Sequence, residues 1–199
     1  MNKRAEQGQA TRDRLVEVAT RLFAERGFEG TSIEAVLDEA GVSRGSLYHH
    51  FASKEALFEA AFQAVEERIG QEILVAAAEV PGAFDDALIS LRTGALEWIR
   101  LAGDPVVQRI VLIDAPAVLG WERWRELEEQ NALGTIKFAM QTASEQGRVR
   151  PELVDTYAHM LLATVNEFAL MIARSDDQAD ATRTAEAAVD EILAKLLGT

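Results

Sequence analysis

Apolar residues recur at the spacing of an α-helix along almost the whole chain. Leu15, Val18, Ala19, Leu22 and Phe23 are separated by steps of three and four, which places them on one side of a helix with 3.6 residues per turn. No segment alternates apolar and polar residues over the length of a strand, and no internal repeat of roughly 20–50 residues is visible. The chain is therefore predicted to be all-α.

Glycine and hydroxyl residues mark the ends of four helices in the first part of the chain. Glycine favours the left-handed conformation that ends a helix, and serine or threonine side chains accept hydrogen bonds from the free N–H groups at a helix start. The stretch Thr-Ser-Ile-Glu at 31–34 also has the pattern of a capping box. Helices are predicted near 11–26 (ended by Gly27), from Ile33 to Ala40 (ended by Gly41), after Ser43, and over 53–79 (capped by Ser53).

The four prolines divide the remainder of the chain. Pro81 with Gly82 ends the fourth helix, Asp104-Pro105 is typical of a helix start, Pro116 is predicted to mark a loop, and Pro151 opens another helix. Further helices are expected near 83–101, 105–113, 121–146, 151–174 and 178–197. The whole chain is thus predicted to contain about nine helices.

The charge of the chain is unevenly distributed. The net charge of −13 lies entirely beyond residue 54, because residues 1–54 contain 8 Lys and Arg against 8 Asp and Glu. This asymmetry favours two regions with different partners, of which only the first tolerates a polyanion. The chain contains no Cys, which excludes disulfides and thiolate metal sites. Because the N-terminus is polar and no apolar stretch is long enough for a membrane span, a soluble cytoplasmic protein without a membrane partner is expected.

The most informative segment is residues 31–55, TSIEAVLDEAGVSRGSLYHHFASKE. Two short helices joined by Gly41-Val42-Ser43, with apolar residues able to face one core, are typical of a helix-turn-helix. In such a unit the second helix presents its N-terminal residues to the major groove of DNA. The outward face here contains no acidic residue between Gly41 and Ser53, so a polyanion is expected to approach it closely.

The segment GFEGTSIEAVLDEAGVSRGSLYHHFASKEALF resembles the DNA-binding signature of the tetracycline-repressor (TetR) family of bacterial regulators. The resemblance covers about residues 11–65, and the remainder is similar to the family only in pattern. It implies a homodimer that binds a double-stranded palindromic operator and is released by a small-molecule effector. It also implies a DNA-binding domain at 1–55, a ligand-binding and dimerisation domain at 56–199, and the helix 53–79 as the connector.

The resemblance assigns DNA-binding roles to individual residues. Arg44 is suited to a guanine edge or a phosphate, Gly45 allows close backbone approach, and Ser46 is suited to a base. Tyr48 and His49 are similar to a pair that contacts phosphate and thymine methyl groups, whereas His50 is expected to pack against its own domain. The remaining residues assigned to this interface, for phosphate contacts or helix capping, are Thr31, Ser32, Ser43 and Lys54.

Each of these residues also has a structural explanation. A Tyr or His on a short helix is commonly a packing residue, and Thr31, Ser32 and Ser43 would cap their helices whatever the function. The evidence is the coincidence of all of them at this spacing with a core face and an outward face free of acidic residues.

The effector site is less explicit in the sequence. The resemblance implies a pocket among the fourth to eighth helices, although the aromatic candidates are more commonly core residues. Arg109 interrupts an apolar run, so it is expected either to pair with Asp114 or Glu97 or to bind a ligand anion. The candidates are Trp98, Arg109, Trp121, Trp124, Phe138, His159, Asn166 and Phe168.

The last two helices are apolar around much of their circumference. One explanation is a two-fold interface in which two helices from each subunit form a four-helix bundle, and this is the hypothesis preferred here. The other is that both helices complete the core of a single subunit. The residues assigned to the dimer interface are Leu161, Leu162, Val165, Ala169, Ile172, Val189, Ile192, Leu193 and Leu196.

The sequence does not favour an enzyme. It contains no phosphate-binding loop, no dinucleotide-binding glycine motif, no H-E-x-x-H motif and no Glu-x-x-His pair. No catalytic residue, cofactor or metal is predicted. The preferred hypothesis is a ligand-responsive repressor, with a TetR-like activator and an all-helical ligand-binding or adaptor protein without DNA binding as alternatives.

Overall fold

The computed structural model describes residues 3–198, with side chains from residue 6 onward. Within this range the chain is helical and contains no strand, which confirms the all-α prediction. The α-helices are α1 Lys3–Gly30, α2 Ile33–Ala40, α3 Arg44–His50, α4 Lys54–Glu79, α5 Ala87–Leu101, α6 Pro105–Val107, α7 Ala115–Leu119, α8 Trp121–Gln130, α9 Ala132–Glu145, α10 Val154–Ala173 and α11 Gln178–Leu197. A π-helix spans Gln108–Asp114 and a 3₁₀ turn spans Pro151–Leu153.

The helices form two compact units. The first contains the residues up to Glu66 together with Pro105–Trp124, and the second contains Glu67–Asp104 together with the residues from Arg125 onward. The segment 105–124 packs with the N-terminal helices, and the boundary predicted at residue 55 concerns function rather than this division. A functional division at that residue remains a prediction.

The core of the first unit is built on α1. Leu15, Leu22 and Phe23 are fully buried on one side of this helix, where α2, α3 and the π-helix pack against it. The rings of Phe23, Phe28 and Phe58 lie 5.2–5.8 Å apart between centroids, two of the three pairs edge to face. Aromatic pairs in this arrangement contribute more than their buried area alone.

The helix predicted near 11–26 is longer in the structure, and Gly27 interrupts α1 rather than ending it, with φ 72° and ψ 170°. A residue with a side chain rarely adopts this backbone conformation. In addition, a Cβ atom on residue 27 would overlap the guanidinium of Arg109. Two independent constraints therefore require glycine at this position.

The second unit is a bundle of α5, α9, α10 and α11. Its core is formed by apolar side chains, including Leu91, Ile99, Leu133 and Met140. Side chains from a single chain therefore fill the interior of this unit.

Three segments differ from the predicted helix pattern. The helix expected at 121–146 is broken at Asn131, whose side-chain Nδ2 donates to the Leu127 carbonyl over 2.8 Å. The segment expected as one helix at 105–113 is α-helical only as far as Val107 and then becomes a π-helix. Pro116 lies in the first turn of α7 rather than in a loop.

Candidate nucleic-acid interface

Helices α2 and α3 form a helix-turn-helix, and the end of α2 and the start of α3 are capped as the sequence predicted. Gly41 ends α2 in the left-handed conformation (φ 69°, ψ 33°), and its N–H donates to the Leu37 carbonyl. At the start of α3, Ser43 Oγ accepts a hydrogen bond from the Ser46 N–H over 3.3 Å. The start of α2 differs from the predicted capping box, because Ser32 is the capping residue and accepts from the Ala35 N–H over 3.1 Å.

A buried face anchors this motif to the rest of the first unit. Val36 and Leu47 are fully buried, and Ala40 and Phe51 nearly so. Arg14 of α1 donates from Nε to the Ala40 carbonyl over 2.6 Å, which satisfies an acceptor at the end of α2 that has no partner within the helix. The position of α3 is thus set by packing on one side, and its other side is left open.

The open side of α3 presents the residues that the sequence assigned to DNA contact. Arg44, Gly45 and His49 are exposed, Ser46 is half-buried, and the Tyr48 side chain is 45% exposed. A Cβ built on Gly45 would have no other atom within 4 Å, so the backbone at the start of α3 is accessible to a large partner. The structure therefore brings these five residues together on one surface, and their contacts with DNA remain a prediction.

An acidic residue from α2 also lies at this surface. Glu34 Oε1 accepts a hydrogen bond from Nη2 of Arg44. The Glu34 backbone N–H and then the positive charge of Arg44 lower the pKa of this carboxyl below its ordinary value. Glu34 lies outside the stretch from Gly41 to Ser53 that contains no acidic residue, and its side chain meets Arg44 only when α2 and α3 fold against each other.

The predicted phosphate contacts are placed differently from one another. Ser32 is exposed at the start of α2, but Thr31 is 1% exposed and its hydroxyl donates to the carbonyls of Leu22 and Gly27. This differs from the predicted phosphate contact of Thr31, whose hydroxyl instead ties the end of α1 to the start of α2. Lys54 is half-buried, with Nζ 4.1 Å from the centroid of the Phe28 ring.

The two neighbouring histidines of α3 have different surroundings. His49 is exposed and His50 is half-buried, with its Cε1 facing the backbone of α1 at Gly8. His50 therefore packs against its own unit as expected. Among the residues that the structure describes, no group of three His, Asp or Glu side chains is placed to hold a metal ion.

The candidate effector residues are divided between the two units. Arg109, Trp121 and Trp124 belong to the first unit, and the other five belong to the second. Trp121 is 64% exposed and Phe138 is 75% exposed, which differs from the pocket lining expected of them. Phe168 packs against the core of the second unit. Nε2 of His159 lies 3.5 Å from Oδ2 of Asp155.

Arg109 pairs with Asp114, one of the two partners that the sequence allowed. Its Nε donates to Oδ2 of Asp114 over 3.1 Å, and the guanidinium also covers Gly27. Arg109 is thus engaged with its own unit through Nε, and its side chain remains 42% exposed.

Most residues assigned to the dimer interface are buried within their own chain. Seven of them are between 1% and 8% exposed: Leu161, Leu162, Val165, Ala169, Ile172, Val189 and Leu193. This differs from the predicted interface and agrees with the other explanation, in which these side chains complete one subunit's core. The remaining two, Ile192 and Leu196, are partly exposed. On α10 the exposed apolar residues are instead Met160 (40%) and Met171 (57%).

No helix within residues 3–198 is both long enough and apolar enough to cross a lipid bilayer.

The fold and the exposed helix α3 define an all-helical protein of the helix-turn-helix class. The family model of bacterial regulatory proteins of the tetR family matches residues 15–61. The model of the tetracyclin repressor-like C-terminal domain matches residues 89–196, which is more than half of the chain. The chain therefore belongs to the TetR family.

Individual relatives match a limited part of the chain. The HTH-type transcriptional regulator AcrR of Shigella flexneri is 38% identical over 80 residues, which are 40% of this chain and 37% of AcrR. The HTH-type transcriptional repressor KstR2 of Mycobacterium tuberculosis is 47% identical over 57 residues, which are 29% of this chain and 28% of KstR2. The chain thus spans about a third of the length of these curated relatives.

The fold is shared along the entire chain with a solved structure. The crystal structure of a TetR-family transcriptional regulator from Pectobacterium atrosepticum has a TM-score of 0.79 and 27% sequence identity, covering 100% of this chain and 99% of that chain. The similarity in sequence is therefore local, whereas the similarity in fold extends over both units.

Proposed function

We propose that this protein is a ligand-responsive transcriptional regulator of the bacterial cytoplasm that binds operator DNA as a homodimer. The observation that carries the proposal is the exposed side of α3, where Arg44, Tyr48 and His49 surround the accessible backbone of Gly45 on a rigidly packed helix. The proposed activity is binding rather than catalysis. The repressor KstR2, which is 47% identical to this chain over 57 residues, supports repression as the outcome. Where the operator lies upstream of a promoter, the same contacts would serve activation.

The proposed docking places the start of α3 in the major groove. Arg44 donates to a guanine edge, Ser46 hydrogen-bonds a base, and Tyr48 and His49 contact phosphates and thymine methyl groups. Ser32 and the positively polarised start of α2 face a phosphate, together with Lys54. The base contacts provide selectivity and the phosphate contacts provide affinity and register.

A homodimer supplies the second recognition helix. We assign the interface to the open stripes of the last two helices, which contain Met160 and Met171 on α10 and Ile192 and Leu196 on α11. Exposed apolar stripes of this kind are typical of protein interfaces. Two-fold symmetry then requires a palindromic operator whose half-sites are roughly 34–36 Å apart, or one helical turn.

The effector acts by shifting the dimer between two conformations. Residues 1–55 are assigned to DNA binding and residues 56–199 to effector binding and dimerisation, with α4 as the connector. An effector that prefers a conformation with a different spacing of the recognition helices weakens operator binding. Linkage requires that operator DNA weaken effector binding by the same factor.

The test begins with selection of duplexes from a random-sequence library by the purified protein. The expected result is enrichment of a palindrome, whose affinity falls steeply with salt because each phosphate contact releases counterions. Tyr48→Ala should weaken binding to the enriched duplex by about 1–3 kcal/mol. Failure to enrich any sequence would favour the alternative of a helical ligand-binding or adaptor protein, in which the helix-turn-helix serves only packing.

A further inference from the structure

Glu34 and Arg44 form an ion pair on the outer surface of the helix-turn-helix. They belong to different helices and are ten residues apart in the sequence. The Arg44 side chain is 57% exposed and the Glu34 side chain is 61% exposed. The pair therefore lies on the surface that the proposed function turns toward DNA, where a carboxylate is unexpected beside a polyanion.

The ion pair affects a phosphate contact of Arg44 differently from a base contact. If Arg44 leaves Glu34 for a phosphate, the pair is separated and an uncompensated negative charge faces the DNA backbone. If Arg44 stays with Glu34, only part of its five N–H donors is occupied. The donors that remain can reach O6 and N7 of one guanine. The carboxylate thus disfavours phosphate contact and tolerates a base contact.

The charge of Glu34 is present under ordinary conditions. Its own backbone N–H and the charge of Arg44 lower the pKa of the carboxyl, so the group remains ionised as the pH falls toward its usual value. The guanidinium is always protonated. Both charges of the pair are therefore present without requiring a particular pH.

We propose that Glu34 is a positioning residue for Arg44 that raises the sequence selectivity of the DNA interface. It holds the guanidinium ready for a guanine edge and opposes its transfer to a phosphate. This inference rests on the proposed function, because it concerns how the same surface discriminates among DNA sequences. It adds a residue to the interface that neither the sequence analysis nor the proposed docking assigned.

The experiment compares two affinities of the full chain. The probes are the duplex enriched by the wild-type protein from the random library and a shuffled duplex of the same length and composition. Glu34→Gln should tighten binding to the shuffled duplex much more than binding to the enriched one. The ratio of the two dissociation constants should fall by about tenfold, within the range of one bidentate base contact.

Asp38 provides the matched control. It is an exposed carboxylate one turn further along α2, so Asp38→Asn removes the same charge from the same helix without removing the partner of Arg44. Both affinities should then rise together and leave the ratio unchanged. In an Arg44→Gln background, Glu34→Gln should behave like Asp38→Asn, because no guanidinium remains to be positioned.

Any of three results would overturn this inference without affecting the proposed function. They are an unchanged ratio of dissociation constants in Glu34→Gln, an equal fall of that ratio in Asp38→Asn, or the same fall when Glu34→Gln is made in the Arg44→Gln background. Each presupposes that the wild-type protein enriches a sequence. If the wild-type protein enriches none, the proposed function itself fails and the inference fails with it. Thermal unfolding of each variant shows whether the change is confined to the surface.

Discussion

The carboxylate of Asp114 accepts a hydrogen bond from the backbone N–H of Phe28, 86 residues earlier in the chain, over 2.8 Å. The same oxygen, Oδ2, accepts from Nε of Arg109. Asp114 is only 9% exposed and is the last residue of the π-helix. A buried carboxylate therefore joins the π-helix to Phe28, next to the interruption of α1 at Gly27. Phe28 lies three residues before Thr31, where the helix-turn-helix region begins.

Asp114→Ala should destabilise the protein by about 1–3 kcal/mol, because it leaves the Phe28 N–H without its acceptor. Asp114→Asn should cost less, since the amide oxygen can still accept that hydrogen bond. Denaturant unfolding of both variants measures the difference. Equal losses would show that the charge of Asp114, and not its bond to the backbone, supplies the stability.

Substitution of Gly27 should be more harmful than substitution of Gly41. Both have positive φ, at 72° and 69°, but Gly41 lies in the left-handed helical region with nothing near its Cβ position, whereas Gly27 faces the Arg109 guanidinium. Gly41→Ala should cost about 1 kcal/mol. Gly27→Ala should cost about 1–3 kcal/mol for its backbone conformation, and more for displacing Arg109.

The steric part of this difference can be separated from the backbone part. Arg109→Ala makes room at Gly27, so the additional cost of Gly27→Ala should be smaller in that background. Equilibrium unfolding of the single and double variants gives the coupling between the two positions. Additive losses would show that the guanidinium yields without cost.

Glu128 should make stability fall as the pH rises. It is 3% exposed, Oε2 has no hydrogen-bond partner among the described residues, and burial raises the pKa from 4.5 to about 7. Between these two values the folded state binds more protons than the unfolded state, so the free energy of unfolding decreases as the pH rises and the loss is complete above about pH 7.

Glu128→Gln removes this titration. Its stability relative to the parent should increase between about pH 5 and pH 8 by on the order of 2–3 kcal/mol. Thermal unfolding across this range measures the change, and Glu122→Gln, an exposed residue of the same helix, is the control. Parallel pH profiles of Glu128→Gln and the parent would refute the assignment.

Substitutions of Met171 and Leu162 should distinguish the dimer interface from the subunit core. Met171→Glu places a charge on the open stripe of α10 and should leave the fold intact while producing monomers in sedimentation analysis. Leu162 is 4% exposed, so Leu162→Ala should lower the free energy of unfolding by about 2–5 kcal/mol. A Met171→Glu protein that remains dimeric at micromolar concentration would move the interface elsewhere.

Lys54→Ala should weaken DNA binding by a similar factor for every sequence. The slope of log affinity against log salt should decrease by about one, the effect of losing one phosphate contact. Lys195→Ala removes the same charge from α11 in the other unit and should leave the slope unchanged. A slope that is identical in Lys54→Ala and the parent would show that Nζ stays on the Phe28 ring when DNA binds.

Local features were predictable from the sequence because they depend on neighbouring residues. Gly41 ends α2 and Ser43 caps α3 as predicted, since a left-handed glycine and a serine hydroxyl satisfy backbone groups within one turn. Gly27 was predicted for the same reason to end the first helix, which it interrupts instead. The capping box was assigned one residue too early, because Thr31 and Ser32 are both suitable caps and only burial of Thr31 distinguishes them.

Long-range features were not predictable in the same way. Leu162 and Met171 are both apolar residues of one helix, and the sequence assigned the buried one to the dimer because it could not show which stripe the neighbouring helices cover. Glu34 and Arg44 similarly give no local signal of their ion pair. Contacts of this kind depend on the direction in which one helix packs on another.

The amino-acid sequence by itself determined that this protein is helical, where its first helices end, and which short segment carries the recognition helix, because periodicity and capping act over a few residues. Only the tertiary structure decided that Thr31 faces inward, that Asp114 is joined to Phe28, and that a carboxylate accompanies Arg44 on the outer surface. Those relationships arise when distant segments compete for the same buried volume and for the same hydrogen-bonding groups.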